Sequence, residues 1–221
     1  MTATRVTPFP PLHAPPPPAA PPPRRRRGGG LFVVVVGPDG IGKTTVARAL
    51  VARYDGPTGY FHFTPPIGHA LDTRPPDDEM PIARHTEPRG SLVLGCLRLG
   101  RSIVRAWVGH ACRVRPALDK GALVVADRWL YGYVGDPLPL RFFGPRGLGV
   151  LALRLLPEPD LVAVLWSDAQ CVYERKQEMS LAEIERGIEA WAALPVAHKR
   201  LFDAREPASV IAQQILEALG R

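Results

Sequence analysis

No apolar run in the 221-residue chain exceeds six residues, and a membrane-spanning helix needs about 20. An integral membrane protein built of helices is excluded. Cysteine is scarce: Cys96, Cys112 and Cys171 are odd in number and show neither CxxC nor Cys/His ligand spacing. That disfavours a disulfide scaffold and a structural zinc site, and makes a reducing cytoplasm the expected compartment. Acidic residues are missing altogether from positions 1–29, which carry five arginines, Arg5 and Arg24–Arg27. The net charge is +7, so these five leave only +2 for the other 192 residues. The basicity belongs to a tail, the rest is close to neutral, and no nucleic-acid partner is expected. Lysine is rare, 4 residues against 24 arginines, a bias read as base composition of the genome.

What is present fits one domain with a sizeable core. Residues 1–29 hold ten of the 26 prolines and almost no large apolar side chains. Such a segment cannot bury enough surface to offset its ordering entropy. It reads as a disordered Pro/Arg-rich tail ahead of a domain over residues 30–221. It does not read as a secretory signal, because the apolar run that follows is short and leads into a glycine-rich motif.

From Leu31 onward, short apolar runs alternate with helical patterns. Leu31–Val36 is β-branched and reads as a buried strand. Residues 43–54 read as a helix and Tyr60–Phe63 as a second strand. Residues 64–90 are proline-rich with an acidic cluster (Asp72, Asp77, Asp78, Glu79), an irregular excursion. Over 91–115, Leu92, Cys96, Leu99, Ile103 and Trp107 follow helical spacing and mark the expected inward stripe. Arg98, Arg101 and Arg105 lie on another face, which reads first as solvated. Ala122–Ala126 and Leu161–Trp166 are further strands, with 148–156 helical between them. Ser180 and Glu183 form a capping-box pattern ahead of an Ile184, Ile188, Trp191 stripe. Lys199–Asp203 is the last strand and 207–219 the last helix. Uniformly apolar strands separated by helices specify an α/β fold with a parallel sheet covered on both faces. Ligands in such folds sit at the carboxyl ends of the strands.

The residues Gly37-Pro38-Asp39-Gly40-Ile41-Gly42-Lys43-Thr44 match GxxxxGK[ST] in full, directly after a strand and directly before a helix. Glycines let the backbone wrap a phosphate with its N–H groups, and the helix start adds its positive end. Lys43 then reaches the β- and γ-phosphates and the Thr44 hydroxyl ligates Mg²⁺. Asp127, at the end of a buried strand, reads as the carboxylate that holds the same Mg²⁺. The next residue is Arg128, where many ATPases place a glutamate to orient water. A cation there suits an acceptor phosphate, so transfer is favoured over hydrolysis. There is no NKxD, the only DxxG lies inside the glycine loop, and no LSGGQ-like signature occurs. GTPase switches and transporter ATPases are disfavoured.

Three elements together, Gly37 to Thr45, Asp127-Arg128-Trp129, and Glu174-Arg175-Lys176-Gln177-Glu178-Met179-Ser180, resemble the thymidylate kinase-like branch of the nucleoside monophosphate kinases. The RKQEMS element and the LLPEPDLV strand entry at 155–162 resemble a divergent subgroup whose genes often accompany those for surface-polysaccharide synthesis. The resemblance implies a three-layer P-loop NTPase fold with a five-stranded parallel sheet and a helical lid. It implies ATP and Mg²⁺ as cofactors and a small phosphate acceptor as partner, with a homodimer as an allowed assembly. By position it places Gly37, Asp39, Gly40, Ile41, Gly42, Lys43, Thr44 and Thr45 around the nucleotide, Asp39 approaching the acceptor sugar. Thr44 and Asp127 would hold the metal, Asp127 and Arg128 would serve metal and acceptor phosphate, and Arg175 and Lys176 would act from the lid. An arginine on the 91–115 helix can also bind the acceptor in this family. Ile41 supplies no cation, which throws that work onto the lid. The family's arginine-glutamate-proline-glycine-glycine stretch has its nearest counterpart in Thr86-Glu87-Pro88-Arg89-Gly90, in altered order. His62, His69, His85, His110 and His198 show no ligand spacing and are unassigned. The alternatives are a nucleotide-binding accessory protein without turnover, and a kinase for a sugar or sugar phosphate.

Overall fold

The computed structural model describes residues 29–76, 91–175 and 180–221. Its centre is a five-stranded sheet in the order β2-β3-β1-β4-β5, with every pairing parallel. The strands are β1 (Leu31–Val36), β2 (Thr58–His62), β3 (Leu123–Asp127), β4 (Leu161–Trp166) and β5 (Lys199–Asp203). The helices are α1 (Lys43–Arg53), α2 (Leu92–Gly109), α3 (Arg115–Asp119), α4 (Gly132–Gly135), α5 (Arg146–Leu153), α6 (Ala169–Arg175), α7 (Leu181–Ala192) and α8 (Ala208–Ala218).

Parallel strands need crossovers, and the crossover helices cover both faces of the sheet. That is why all six residues of β1 are buried. Its odd positions, Leu31, Val33 and Val35, join a core built with α1 (Val46, Leu50) and α8 (Ile211, Ile215). Its even positions, Phe32, Val34 and Val36, join a second core with Leu99 and Ala106 of α2, Leu118 of α3 and Trp129. The three layers follow from that alternation.

The capping box forms as the sequence predicts: Ser180 Oγ accepts from the Glu183 N–H and Glu183 Oε2 accepts from the Ser180 N–H. Ile184, Ile188 and Trp191 of α7 are buried. Trp191 leaves no room at Gly135 of α4, where a Cβ would lie 2.5 Å from the indole Cε3. Gly135→Ala is therefore expected to cost about 1–3 kcal/mol of stability through overpacking. Urea unfolding measures it, and an unchanged midpoint would mean that α4 and Trp191 are not in contact.

The long helix differs from its sequence reading. It runs Leu92–Gly109 and continues through a single π-helical turn, His110–Val114, into α3. The side it buries holds Gly95, Leu99, Ser102, Ala106 and Gly109, whereas Leu92 and Trp107 of the expected inward stripe are half exposed. Close approach decides this orientation. A Cβ at Gly109 would lie 2.8 Å from the Pro65 backbone oxygen, so only the small-residue side fits at this distance.

Candidate active site

Three backbone positions shape the loop between β1 and α1. Gly37, Gly40 and Gly42 have φ of 151°, 79° and 101°, values that side chains disfavour. Gly37 also lies against β4, where a Cβ would come within 2.9 Å of the Leu165 carbonyl oxygen. Ile41 points into the core and is buried, so it offers the site only its backbone. Lys43 opens α1, and its Nζ donates to the Pro38 carbonyl at 2.8 Å and lies 3.4 Å from Asp39 Oδ1. Thr44 and Thr45 follow in the first turn, which carries no acidic residue. A helix start, whose first N–H groups have no carbonyl partner within the helix, favours an anion when it carries a lysine and no acid.

Asp127 is the last residue of β3, adjacent to β1, and is 3 % exposed. Thr44 Oγ1 lies 3.4 Å from Asp127 Oδ2, and so does the Tyr60 hydroxyl from β2. Asp127 Oδ1 is buried without a hydrogen-bond partner among the described residues. A buried carboxylate oxygen left unmatched is costly, and a hydroxyl 3.4 Å from its neighbour completes a hard, all-oxygen donor pair. These residues fit Mg²⁺, which takes one or two protein oxygens and fills its octahedron with water and phosphate. Among the described residues there is no cluster of three His, Cys, Asp or Glu that could hold a metal by itself.

The chain turns sharply after Asp127. Arg128 and Trp129 have φ of 70° and 45°, a strained conformation for residues with side chains. The strain is offset by burial of the Trp129 ring, edge-on to Phe32 and Phe61 at 5.6 and 5.5 Å. The turn directs the Arg128 guanidinium at Asp39, with which it forms an ion pair, and its Nη1 lies 3.6 Å from Asp136 Oδ2. Burial lowers the Arg128 pKa from its ordinary value and Asp136 opposes that shift. The group stays charged throughout. Asp39 therefore lies between two cations, Lys43 and Arg128.

Two neighbours complete this side. Burial, with the Asp127 charge second, pushes the Tyr60 hydroxyl well above the usual phenol range, which keeps it a proton donor. His62 pairs with Asp127 in the strand register; burial lowers its pKa, Asp127 works against that, and Lys43 reinforces it. Tyr60, His62 and Asp136 were missed in the sequence. The first two become visible only through the β2–β3 register, and Asp136 only once the turn at Arg128 is known.

On the other side of the loop, Arg205, after β5, sits 5.6 Å over the Trp166 ring at the end of β4 and bonds Asp203 and Asp168. Of the expected lid, α6 ends at Arg175 and Ser180 caps α7. Lys176 and residues 177–179 lie outside the described residues, as do Thr86–Gly90 and the tail at 1–28. Among the described residues, no helix is long and apolar enough to cross a membrane.

A thymidylate kinase from Ehrlichia chaffeensis superimposes with a TM-score of 0.51 at 15% sequence identity, covering 87% of this chain and 100% of that one. The chain shares the fold of that protein, a five-stranded all-parallel sheet between helical layers. No protein-family model and no curated protein sequence matches the chain. Gly37–Thr45, Asp127 and Arg128 lie together at the carboxyl edge of β1 and β3, where ligands bind in open parallel sheets.

Proposed function

We propose that the chain is an ATP-dependent phosphotransferase of the thymidylate kinase-like type, carrying the γ-phosphoryl group of ATP to the phosphate of a nucleoside monophosphate. The observation that carries this reading is the convergence of Lys43, Thr44 and Asp127 with a buried arginine, Arg128, turned toward the same loop. A fixed cation at this place can hold the phosphate of an acceptor, which favours transfer over attack by water.

Phosphoryl transfer demands in-line positioning and charge neutralisation more than acid–base chemistry. In this reading the N–H groups of Gly40, Gly42, Lys43, Thr44 and Thr45 hold the donor phosphates, with Gly37 and Asp39 shaping the loop, and Lys43 exchanges the Pro38 carbonyl for phosphate oxygen. Thr44 and Asp127 hold Mg²⁺, which supplies charge neutralisation on the donor phosphates. Arg128 receives the acceptor phosphate, and Arg175 and Lys176 act from the lid. The tail at 1–29 takes no part, the domain over 30–221 does the chemistry, and the compartment is the cytoplasm.

A second reading, transfer to a sugar hydroxyl, is favoured by one observation. Arg128 already faces two carboxylates, Asp39 and Asp136, which a dianionic acceptor has to displace. The deciding experiment measures ADP release from MgATP with nucleoside monophosphates, sugar phosphates, and uncharged nucleosides and sugars. Turnover with a nucleoside monophosphate is the expected result. Turnover only with uncharged acceptors selects the second reading, and ATP binding without turnover on any acceptor leaves an accessory nucleotide-binding protein.

A further inference from the structure

A cavity of about 380 Å³ opens beside the end of the long helix, lined by Trp107, His110 and Arg115 on one side and Leu156, Pro157 and Glu158 on the other. It lies toward the amino edge of the sheet, away from the candidate active site. His110 packs on Phe32 near the start of β1, ring centroids 5.9 Å apart, and Glu158 comes just ahead of β4. From Phe32 to Gly37 is a run of strand about 16 Å long. Ligand cavities run from about 300 to 1,000 Å³, so this one suits a single small molecule. Two features give it fixed walls. The first is the π-helical turn His110–Val114, in which the Arg115 N–H donates to the His110 carbonyl. Residues that far apart in an α-helix lie about 140° apart around the axis, whereas i→i+5 bonding brings them to one side. The turn therefore sets His110 and Arg115 on the same wall, and such turns occur frequently at functional sites. The second is Trp107, whose indole N–H donates to the Leu155 carbonyl at 2.6 Å. That bond pins a half-exposed ring to the segment carrying Glu158. The segment is itself tied to β1: the Asp160 N–H donates to the Phe32 carbonyl and Asp160 Oδ2 accepts from the Phe32 N–H, both at 2.8 Å.

We propose that this cavity is a binding site for a guanine mononucleotide, separate from the site at the carboxyl edge. A planar base packs between the pinned Trp107 ring and the buried apolar surface of Leu156 and Pro157. Arg115 offers a guanidinium fork to the phosphate, which it can hold through two parallel hydrogen bonds. Glu158 sets the choice of base. An ionised carboxylate only accepts hydrogen bonds, and guanine is the base with two adjacent donors on one edge, N1–H and the 2-amino group. Adenine and cytosine set a ring-nitrogen acceptor beside their amino group, and uracil and thymine flank one donor with two carbonyls. A carboxylate facing any of these edges meets a lone pair as well as a donor. The cation and the carboxylate come from different elements, so the ligand's anionic group and its donors belong at separate ends. A nucleotide has them there, whereas an amino acid carries its two charges side by side.

The test is equilibrium dialysis of GMP, AMP, CMP, UMP and dTMP against the full chain, with guanosine as the phosphate-free control. At this site GMP is expected to bind about tenfold more tightly than the other four, or better. Arg115→Ala should weaken GMP by roughly 10- to 100-fold and leave guanosine unmoved, because only the phosphate loses a partner. Glu158→Gln should erase the preference for guanine over adenine, since an amide presents a donor as well as an acceptor. Both side chains are exposed, so cooperative melting should persist. If either variant fails to melt in that way, Arg115→Gln and Glu158→Ala replace them with the same expectations. Arg128→Ala marks the carboxyl-edge site, and GMP binding in this cavity should not respond to it. Absence of GMP binding, or binding that ignores Arg115→Ala or disappears in Arg128→Ala, overturns the proposal. An Arg115-dependent preference for another base overturns it too, as does a guanine preference that survives Glu158→Gln. None of these outcomes depends on the chain being a kinase, because Arg115 and Glu158 take no part in that reading.

Discussion

Lys43→Ala is expected to abolish phosphoryl transfer while the chain still melts cooperatively near the parent temperature. The lysine is buried beneath its own loop, yet its contacts there are polar and local, to the Pro38 carbonyl and Asp39. Asp39 keeps its ion pair with Arg128 when Lys43 is removed, so the substitution leaves Asp39 matched. The stability cost should be about 1 kcal/mol, the net worth of one such contact. The kinetic cost is much larger, because the charge that builds on the β- and γ-phosphates during transfer loses its nearest fixed cation. Loss of one such donor in a site that excludes water costs about 100- to 1000-fold in kcat, and a full positive charge belongs at the upper end or beyond. ADP release and a thermal melt, both compared with the parent and the melt run without nucleotide, separate the two effects. A variant that kept most of its turnover would remove the glycine loop from the mechanism.

The glycine loop was legible in the sequence because its information is local: spacing, glycines and a flanking strand all lie within fifteen residues. The strands Leu31–Val36 and Leu161–Trp166 were legible for the same reason, since burial on both faces demands uninterrupted apolar runs, whereas Lys199–Asp203, at the sheet edge with only Phe202 buried, shows no such run. The facing of α2 was not. Periodicity weighs side chains by hydrophobicity, which picks Leu92, Cys96, Leu99, Ile103 and Trp107, whereas docking against Pro65 and the β3–α5 region selects for small volume. Two apolar stripes on one helix cannot be ranked without knowing how near the neighbours come. The ion pairs of Arg128 were illegible too. They depend on a positive-φ turn at two residues that carry large side chains, a conformation that sequence reasoning assigns to glycine. Tyr60 and His62 belong to a third kind, residues of ordinary appearance that acquire meaning from strand register alone.

Arg128→Ala is expected to separate acceptor use from donor binding. If Arg128 holds the acceptor phosphate, the variant loses a buried, charge-assisted contact worth on the order of 2–4 kcal/mol, or roughly 30- to 1000-fold in kcat/KM for the acceptor. ATP affinity should move only a few-fold, since Lys43, Thr44 and the loop amides are untouched. Stability is also expected to fall, because Asp39 and Asp136 each lose a partner; the comparison must therefore be made well below the melting temperature of the variant. Asp136→Asn supplies the counter-test. It removes one of the two carboxylates that compete for Arg128, so a phosphate-bearing acceptor should bind more tightly and its KM should fall. An uncharged acceptor has no such competition to escape, and its KM should stay flat or rise as a hydrogen-bond acceptor for its hydroxyls is lost. The pair of variants thus distinguishes the two classes of acceptor by opposite signs at a single position. Should ATP affinity collapse in Arg128→Ala while acceptor KM stays flat, Arg128 belongs to the donor side or to the fold. The role proposed for it would then be withdrawn.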